Sequence, residues 1–328
     1  MQKSGSFVIS LDFELHWGVF EHVGEDSPYI TNLKNTPDAI RGMLELFRRY
    51  EIAATWATVG FLFAENRKEL QQYHPQIKPN YKNTKVDPYR LEIGENEQDD
   101  PLHFAPSLIR EIQSTSRQEI ATHTYSHFFC LEEGATPDAF RADLQSAAAI
   151  ANKFDVDLHS IVFPRNQVAP DFLNELPSTE IKSYRGNSHG WMYQKNSLSQ
   201  KKTGVKLQRA ARLLDSYINL SGQQLWPLNS DLSTNPREVN NVPASFFLRP
   251  WSFNLKQFES LRLNRLKKQI TNAARHGKLF HLWWHPHNFG KYTEENLGFL
   301  RNILQHVDSC RIKYGMKSQS MDQISGKH

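Results

Sequence analysis

An α/β fold built on parallel strands is the class this sequence predicts, as an open doubly wound sheet or a barrel. Two observations carry it. Short apolar, β-branched runs alternate with amphipathic helical segments along most of the chain, the pattern of strands joined by helical crossovers. The residues just beyond those runs are acids, histidines and arginines, as they are in parallel folds that gather a site at the carboxyl ends of their strands. No glycine-rich phosphate loop follows any run, which weighs against a nucleotide-binding sheet.

The elements follow in order. Phe7 to Leu11 (FVISL) reads as a strand buried on both faces. TPDAIRGMLELFRRY reads as a helix, with Thr36 as N-cap, Pro37 in the first turn and Ile40, Met43, Leu44 and Phe47 at helical spacing. ATWATVGF is a second strand, APSLIREIQS a helix and Glu119 to Ala121 a third strand. A second TPDA at Thr136 opens a helix through Ala151, and SIVF and IKSY give two further strands. A long amphipathic helix from about Lys256 to His276, the strand KLFHLWW, a last helix through NLGFLRNILQHVDSC and a closing strand at MKSQS complete the series.

Residues 1–328 are expected to form a single domain with two long insertions, about 66–101 and 187–249, near the mouth of the site. Their tryptophans and tyrosines, Trp191 and Trp226 foremost, suit stacking on a sugar face.

Composition excludes several classes. Of the 328 residues, 39 % are hydrophobic and 12 % aromatic, enough to build a core, so disorder is not the default. The net charge of +4, from 39 basic and 35 acidic residues without a basic run, argues against a nucleic-acid partner. Cys130 and Cys310 are too few for a disulfide framework and lack CxxC spacing. No apolar run approaches a membrane span, and a strand follows MQKSG at once, so a cytoplasmic location is expected.

The chemistry-bearing residues fall at one end of the strands. The first run delivers Asp12 and Glu14, the third His123 and His127, SIVF delivers Arg165, IKSY delivers Arg185, and KLFHLWW delivers His285 and His287. HxxxH spacing places two imidazoles on one face of a helical turn, and with an acid from the first strand it makes a two-histidine, one-carboxylate metal triad. The proline of HPH directs only one of its two rings to the site.

The series SLDFE, HTYSH, VFPRNQ and LWWHPHN resembles the polysaccharide deacetylase, or NodB-homology, family of carbohydrate esterases over most of the chain. The resemblance implies a distorted (β/α) barrel. It makes Asp12 the catalytic base, Glu14, His123 and His127 the metal ligands, Arg165 the arginine that orients the base, and His285 the general acid. Arg185, His287, Trp191 and Trp226 are then expected at the substrate, and a divalent metal, Zn2+ foremost, is the expected cofactor. Two departures stand out: Phe13 separates the acidic pair, and the arginine follows a proline. The expected substrate is an N-acetyl amino sugar in a nucleotide- or lipid-linked precursor of a surface polysaccharide. An amidohydrolase acting on a non-sugar C–N bond and a non-catalytic carbohydrate-binding relative are the alternatives. An iron oxygenase, which shares the triad, is disfavoured by the α/β alternation.

Overall fold

The computed structural model describes residues 4–24, 26–193, 203–228 and 239–326. Ten strands make one sheet: β1 (Ser6–Phe13), β2 (Ala54–Thr58), β3 (Gln118–Thr122), β4 (Ser160–Ile161), β5 (Ser183–Tyr184), β6 (Trp226–Pro227), β7 (Asn240–Asn241), β8 (Phe246–Phe247), β9 (Lys278–Trp284) and β10 (Lys317–Gln319). β1 lies between β2 and β9, and the parallel series runs on through β3, β4, β5 and β7, while β8 adds parallel to β9. All eight residues of β1 are buried, as a strand covered on both faces requires.

The stretch from β7 to β8 draws the two sides of this sheet together. Its first half bonds to the end of β5, with Val242 N–H to the Tyr184 carbonyl at 2.9 Å and Ala244 N–H to Gly186 at 2.9 Å. Its second half bonds to β9, with Ser245 N–H to His281 at 2.8 Å and Leu248 N–H to Trp283 at 2.8 Å. The result is a distorted barrel. This corrects the expectation that 187–249 is purely an insertion, because three strands of the sheet, β6, β7 and β8, lie inside it. Each is two residues long, too short to show a period of two in the sequence.

Helices Thr36–Arg49, Pro106–Ser114, Pro137–Asn152, Glu259–Arg275 and Thr293–Tyr314 cover the sheet. Their apolar stripes (Ile40, Met43 and Phe47; Ile109 and Ile112; Phe140 and Ile150; Leu266 and Ile270; Leu300, Ile303 and Leu304) join the strands in one core. The two TPDA stretches differ. Thr136 caps its helix by accepting from Ala139 N–H at 3.2 Å, whereas Thr36 turns back to donate to the Asn32 carbonyl at 3.0 Å. No described helix is long and apolar enough to cross a membrane.

Candidate metal centre

The site stands on the carboxyl ends of β1, β3 and β9. Glu14 follows β1 directly, and its Oε2 lies 3.2 Å from His123 Nε2 and 3.2 Å from His127 Nε2. One ligand atom from each of the three side chains falls within 4.8 Å of the others, and all three residues are buried. Gly18 is required beside them, since a Cβ there would stand 1.9 Å from the Glu14 carboxyl carbon.

The two histidines do not share a helical turn, contrary to the expectation from their spacing. Residues 123–127 form an irregular loop in which Thr124 (φ 63°) and His127 (φ 57°) adopt the left-handed conformation. The buried carboxylate of Asp143 holds that loop, accepting from Tyr125 N–H at 2.6 Å, from Ser126 N–H at 3.2 Å and from the Ser126 hydroxyl. Burial raises the Asp143 pKa to about 7 against these bonds. Tyr125 and Ser126 N–H are thereby committed, so neither is free to stabilise an oxyanion. Leu15, Arg165 and Asn166 are also left-handed, so strained backbone gathers around the site.

The donor set suits a cation. His123 Nδ1 donates to the Val162 carbonyl at 2.8 Å, which leaves Nε2 of the neutral ring as a lone pair. That lone pair faces a carboxylate oxygen at 3.2 Å and has no hydrogen-bond partner among the described residues. Two acceptors opposed in a buried space repel unless a proton or a metal ion lies between them, and two imidazoles with one carboxylate are a zinc-type set.

Asp12, 2 % exposed, is gripped by Arg185. Arg185 Nη1 donates to Asp12 Oδ1 at 2.6 Å and Nη2 to Oδ2 at 2.7 Å. Its other N–H groups go to the Ser10 hydroxyl at 3.0 Å and to Asn166 Oδ1 at 2.8 and 3.3 Å, so all five donors are used. Ser10 in turn donates to His281 Nε2 at 2.8 Å, and the guanidinium lies 4.2 Å from the centre of the Trp283 ring. Burial alone would raise the Asp12 pKa; Arg185, with lesser help from His123 and His285, outweighs it and holds the carboxyl below its ordinary range. Glu14 is held well below its range, burial being opposed by His285, His123 and His127.

Arg165 does not reach Asp12. Its left-handed backbone (φ 56°, ψ 13°) turns the side chain outward, where Nη2 donates to the Gly18 carbonyl at 3.2 Å and the guanidinium pairs with Glu21. The arginine on Asp12 is Arg185, which the sequence placed at the substrate; it is fully buried and faces the interior. Ser10, Asn166 and His281 were missed, because Ser10 and His281 sit inside apolar runs and Asn166 carries no charge.

His285 Nε2 lies 3.7 Å from Asp12 Oδ2 and 3.5 Å from Glu14 Oε1, and its side chain is 24 % exposed. Burial lowers its pKa, against the pull of Glu14 and Asp12. Asn288 positions the ring: its Oδ1 accepts from the Tyr29 hydroxyl at 2.7 Å, so its Nδ2 faces His285 Nδ1 at 3.4 Å and Nε2 carries the proton. His287 stacks behind, 5.2 Å between ring centres, 2 % exposed and with its pKa driven to about 3 by burial and then by His285. Buried there, His287 does not line the cavity beside His285.

A cavity of about 250 Å³ opens beside His285, lined also by Asn166, Tyr193, Arg212, Phe247, Arg249 and Trp283. Part of 187–249 therefore lines the mouth. Segment 66–101 does not line this cavity; Tyr81 accepts from Phe129 N–H at 2.9 Å behind the histidine loop. Trp226 is also elsewhere. β6 pairs with Leu279 and Lys278 at the start of β9, the end opposite His285, and the Trp226 indole packs on His189. The side chain of Trp191 lies outside what the structure describes. His16, two residues beyond Glu14, bonds to His103 at 2.8 Å and to the Val23 carbonyl at 2.8 Å.

No family model and no curated protein matches the sequence. Solved structures do match in shape. A protein from Mycobacterium smegmatis assigned as a polysaccharide deacetylase superposes with a TM-score of 0.60 at 12 % identity, over 99 % of this chain and 90 % of that one. The fold is that of the NodB-type polysaccharide deacetylases. A second protein so assigned, from Pseudomonas aeruginosa PAO1, gives 0.56 at 10 % identity over 98 % of this chain and 89 % of its own. Puue allantoinase gives 0.54 at 11 % identity over 98 % and 88 %. The fold is thus shared with a protein named an allantoinase, and the chemistry here has to be argued from the residues.

Proposed function

We propose that the protein is a metal-dependent hydrolase that removes an N-acetyl group from an amino sugar, in a cytosolic nucleotide- or lipid-linked precursor of a surface polysaccharide. One observation carries the reading: His127 Nε2 and the otherwise unpartnered His123 Nε2 converge on one oxygen of Glu14, while Asp12 stands beside them gripped by Arg185. Glu14, His123 and His127 would hold the ion, with zinc favoured by the donor set. A divalent ion there would supply an acidified water and polarise the substrate carbonyl.

The chain's own groups divide the proton work. Asp12, kept ionised by Arg185, is the base that takes a proton from the attacking water. His285, with Nε2 between the two acids and its edge on the cavity, returns a proton to the departing amine. At about 250 Å³ the cavity lies below the ~300–1,000 Å³ of sites for drug-sized ligands, which suits a single sugar ring. The same groups would serve an amidohydrolase acting on a non-sugar C–N bond.

The test is acetate release from N-acetyl amino sugars by protein of measured metal content. Acetate produced in proportion to bound metal supports the reading, and a metal-loaded protein that releases none removes it.

A further inference from the structure

Two cavities share Arg249. The one beside His285 is also lined by Arg212; the other, of about 480 Å³, is lined by Trp251, Tyr292 and Lys291. Among the described residues, no aspartate or glutamate lines either cavity. Arg212 Nη1 donates to the Met192 carbonyl at 2.8 Å, and among the described residues neither arginine has a carboxylate partner. The acids of the neighbourhood are engaged already, Glu259 by Arg262 and Asp215 by Arg265 at 3.2 Å.

Both guanidiniums are half-buried. Burial holds Arg249 below its ordinary pKa and the charge of Arg212 lowers it further; burial and then Arg209 do the same to Arg212. Like charges drawn partly out of water without a counter-ion cost free energy, which an arriving anion offsets. A pair of planar forks with a lysine in the adjoining cavity matches the several oxygens and multiple charge of a phosphate better than a single carboxylate.

We infer that Arg212 and Arg249 form a phosphate-binding subsite beside His285, so that the substrate is a phosphate- or diphosphate-linked amino sugar and not a neutral glycan. This rests on the hydrolase reading of the metal centre and gives its phosphate-linked substrate class a binding site. The sugar occupies the cavity at His285 and the phosphate spans the arginines. What lies beyond the phosphate enters the second cavity, against Trp251 and Tyr292, whose rings are 4.8 Å apart. A nucleoside and a lipid chain both present such a diphosphate.

Calorimetric titration separates these cases, with inorganic pyrophosphate, UDP, farnesyl diphosphate and glucuronate as probes and metal content measured in parallel. Pyrophosphate is expected to bind the wild type, and Arg212→Gln and Arg249→Gln to weaken it at least about tenfold each with metal content unchanged, the loss usual for a charged hydrogen bond. Arg249→Lys, which keeps the charge without the fork, is expected to fall between and serves if a glutamine variant does not fold. Trp251→Ala should weaken UDP alone if the source is a nucleotide, or farnesyl diphosphate alone if it is a lipid. Pyrophosphate binding that is absent, that is equal in all variants, or that is weaker than glucuronate binding overturns the subsite. Acetate release from a neutral amino sugar alongside that result would leave the hydrolase reading standing. Arginine-dependent pyrophosphate binding without acetate release from any UDP-linked or prenyl-diphosphate-linked N-acetyl amino sugar would do the reverse.

Discussion

Arg185 closes on Asp12 through two parallel bonds of 2.6 and 2.7 Å although 173 residues separate them. The arginine that holds Asp12, the base in the proposed function, thus comes from the end of β5 and not from the FPRN turn. Arg185→Lys removes the fork and leaves Asn166 Oδ1 and one Asp12 oxygen without a donor. It is expected to cut turnover about a hundredfold or more while metal content persists, because the metal trio makes no bond to Arg185. Arg165→Gln is expected to cost under about tenfold, since Arg165 pairs with Glu21 and Gly18. Equal losses in both variants, measured as kcat/KM, would contradict the assignment.

The two histidines of HPH should separate in the same assay. His285→Ala is expected to lower the rate about a hundredfold or more, the usual size of general acid catalysis. His287 is neutral at working pH, since its pKa falls to about 3, and it offers no proton. Because its folded pKa lies below the ordinary 6.5, its contribution to stability is present above that value and fades as pH falls toward 3. His287→Phe should therefore keep most activity and unfold less readily in acid than the wild type, which denaturation curves at falling pH would read.

Asp143 acts in the opposite sense. Its folded pKa of about 7 stands above the ordinary 3.8, so the folded chain keeps a proton that the unfolded chain releases. The associated stability is full below 3.8 and is lost as pH rises through about 7. Urea midpoints should fall between about pH 5 and pH 7.5 in the wild type, and fall less in Asp143→Asn. Asp143→Ala, which frees the histidine loop, is expected to weaken metal affinity by about 10–100-fold, as loss of a ligand's support does.

What was legible in the sequence follows from element length. β1 and β9 are eight and seven residues of apolar chain, so their ends, and with them Asp12, Glu14 and His285, could be located. β6, β7 and β8 are two residues each and lie within 187–249, which reads as insertion, whereas the equally short β4 and β5 sit in the apolar runs SIVF and IKSY and show in the sequence. The exchange of Arg165 for Arg185 turns on a left-handed φ at a non-glycine residue, which no propensity announces. Trp226 was misplaced for a related reason: an aromatic in a long connection shows nothing of which end of the barrel it will cover. The HxxxH pair was found, but through a loop held by Asp143, a residue whose partners lie 17 and 18 positions away.

The division of labour within the acidic pair of SLDFE is the centre of the account. Metal content of purified wild type, Glu14→Gln and Asp12→Asn measures it directly. About one ion per chain is expected in the wild type and in Asp12→Asn, with turnover lost in the latter, and none in Glu14→Gln. Metal retained by Glu14→Gln and lost from Asp12→Asn would contradict it and exchange the two roles.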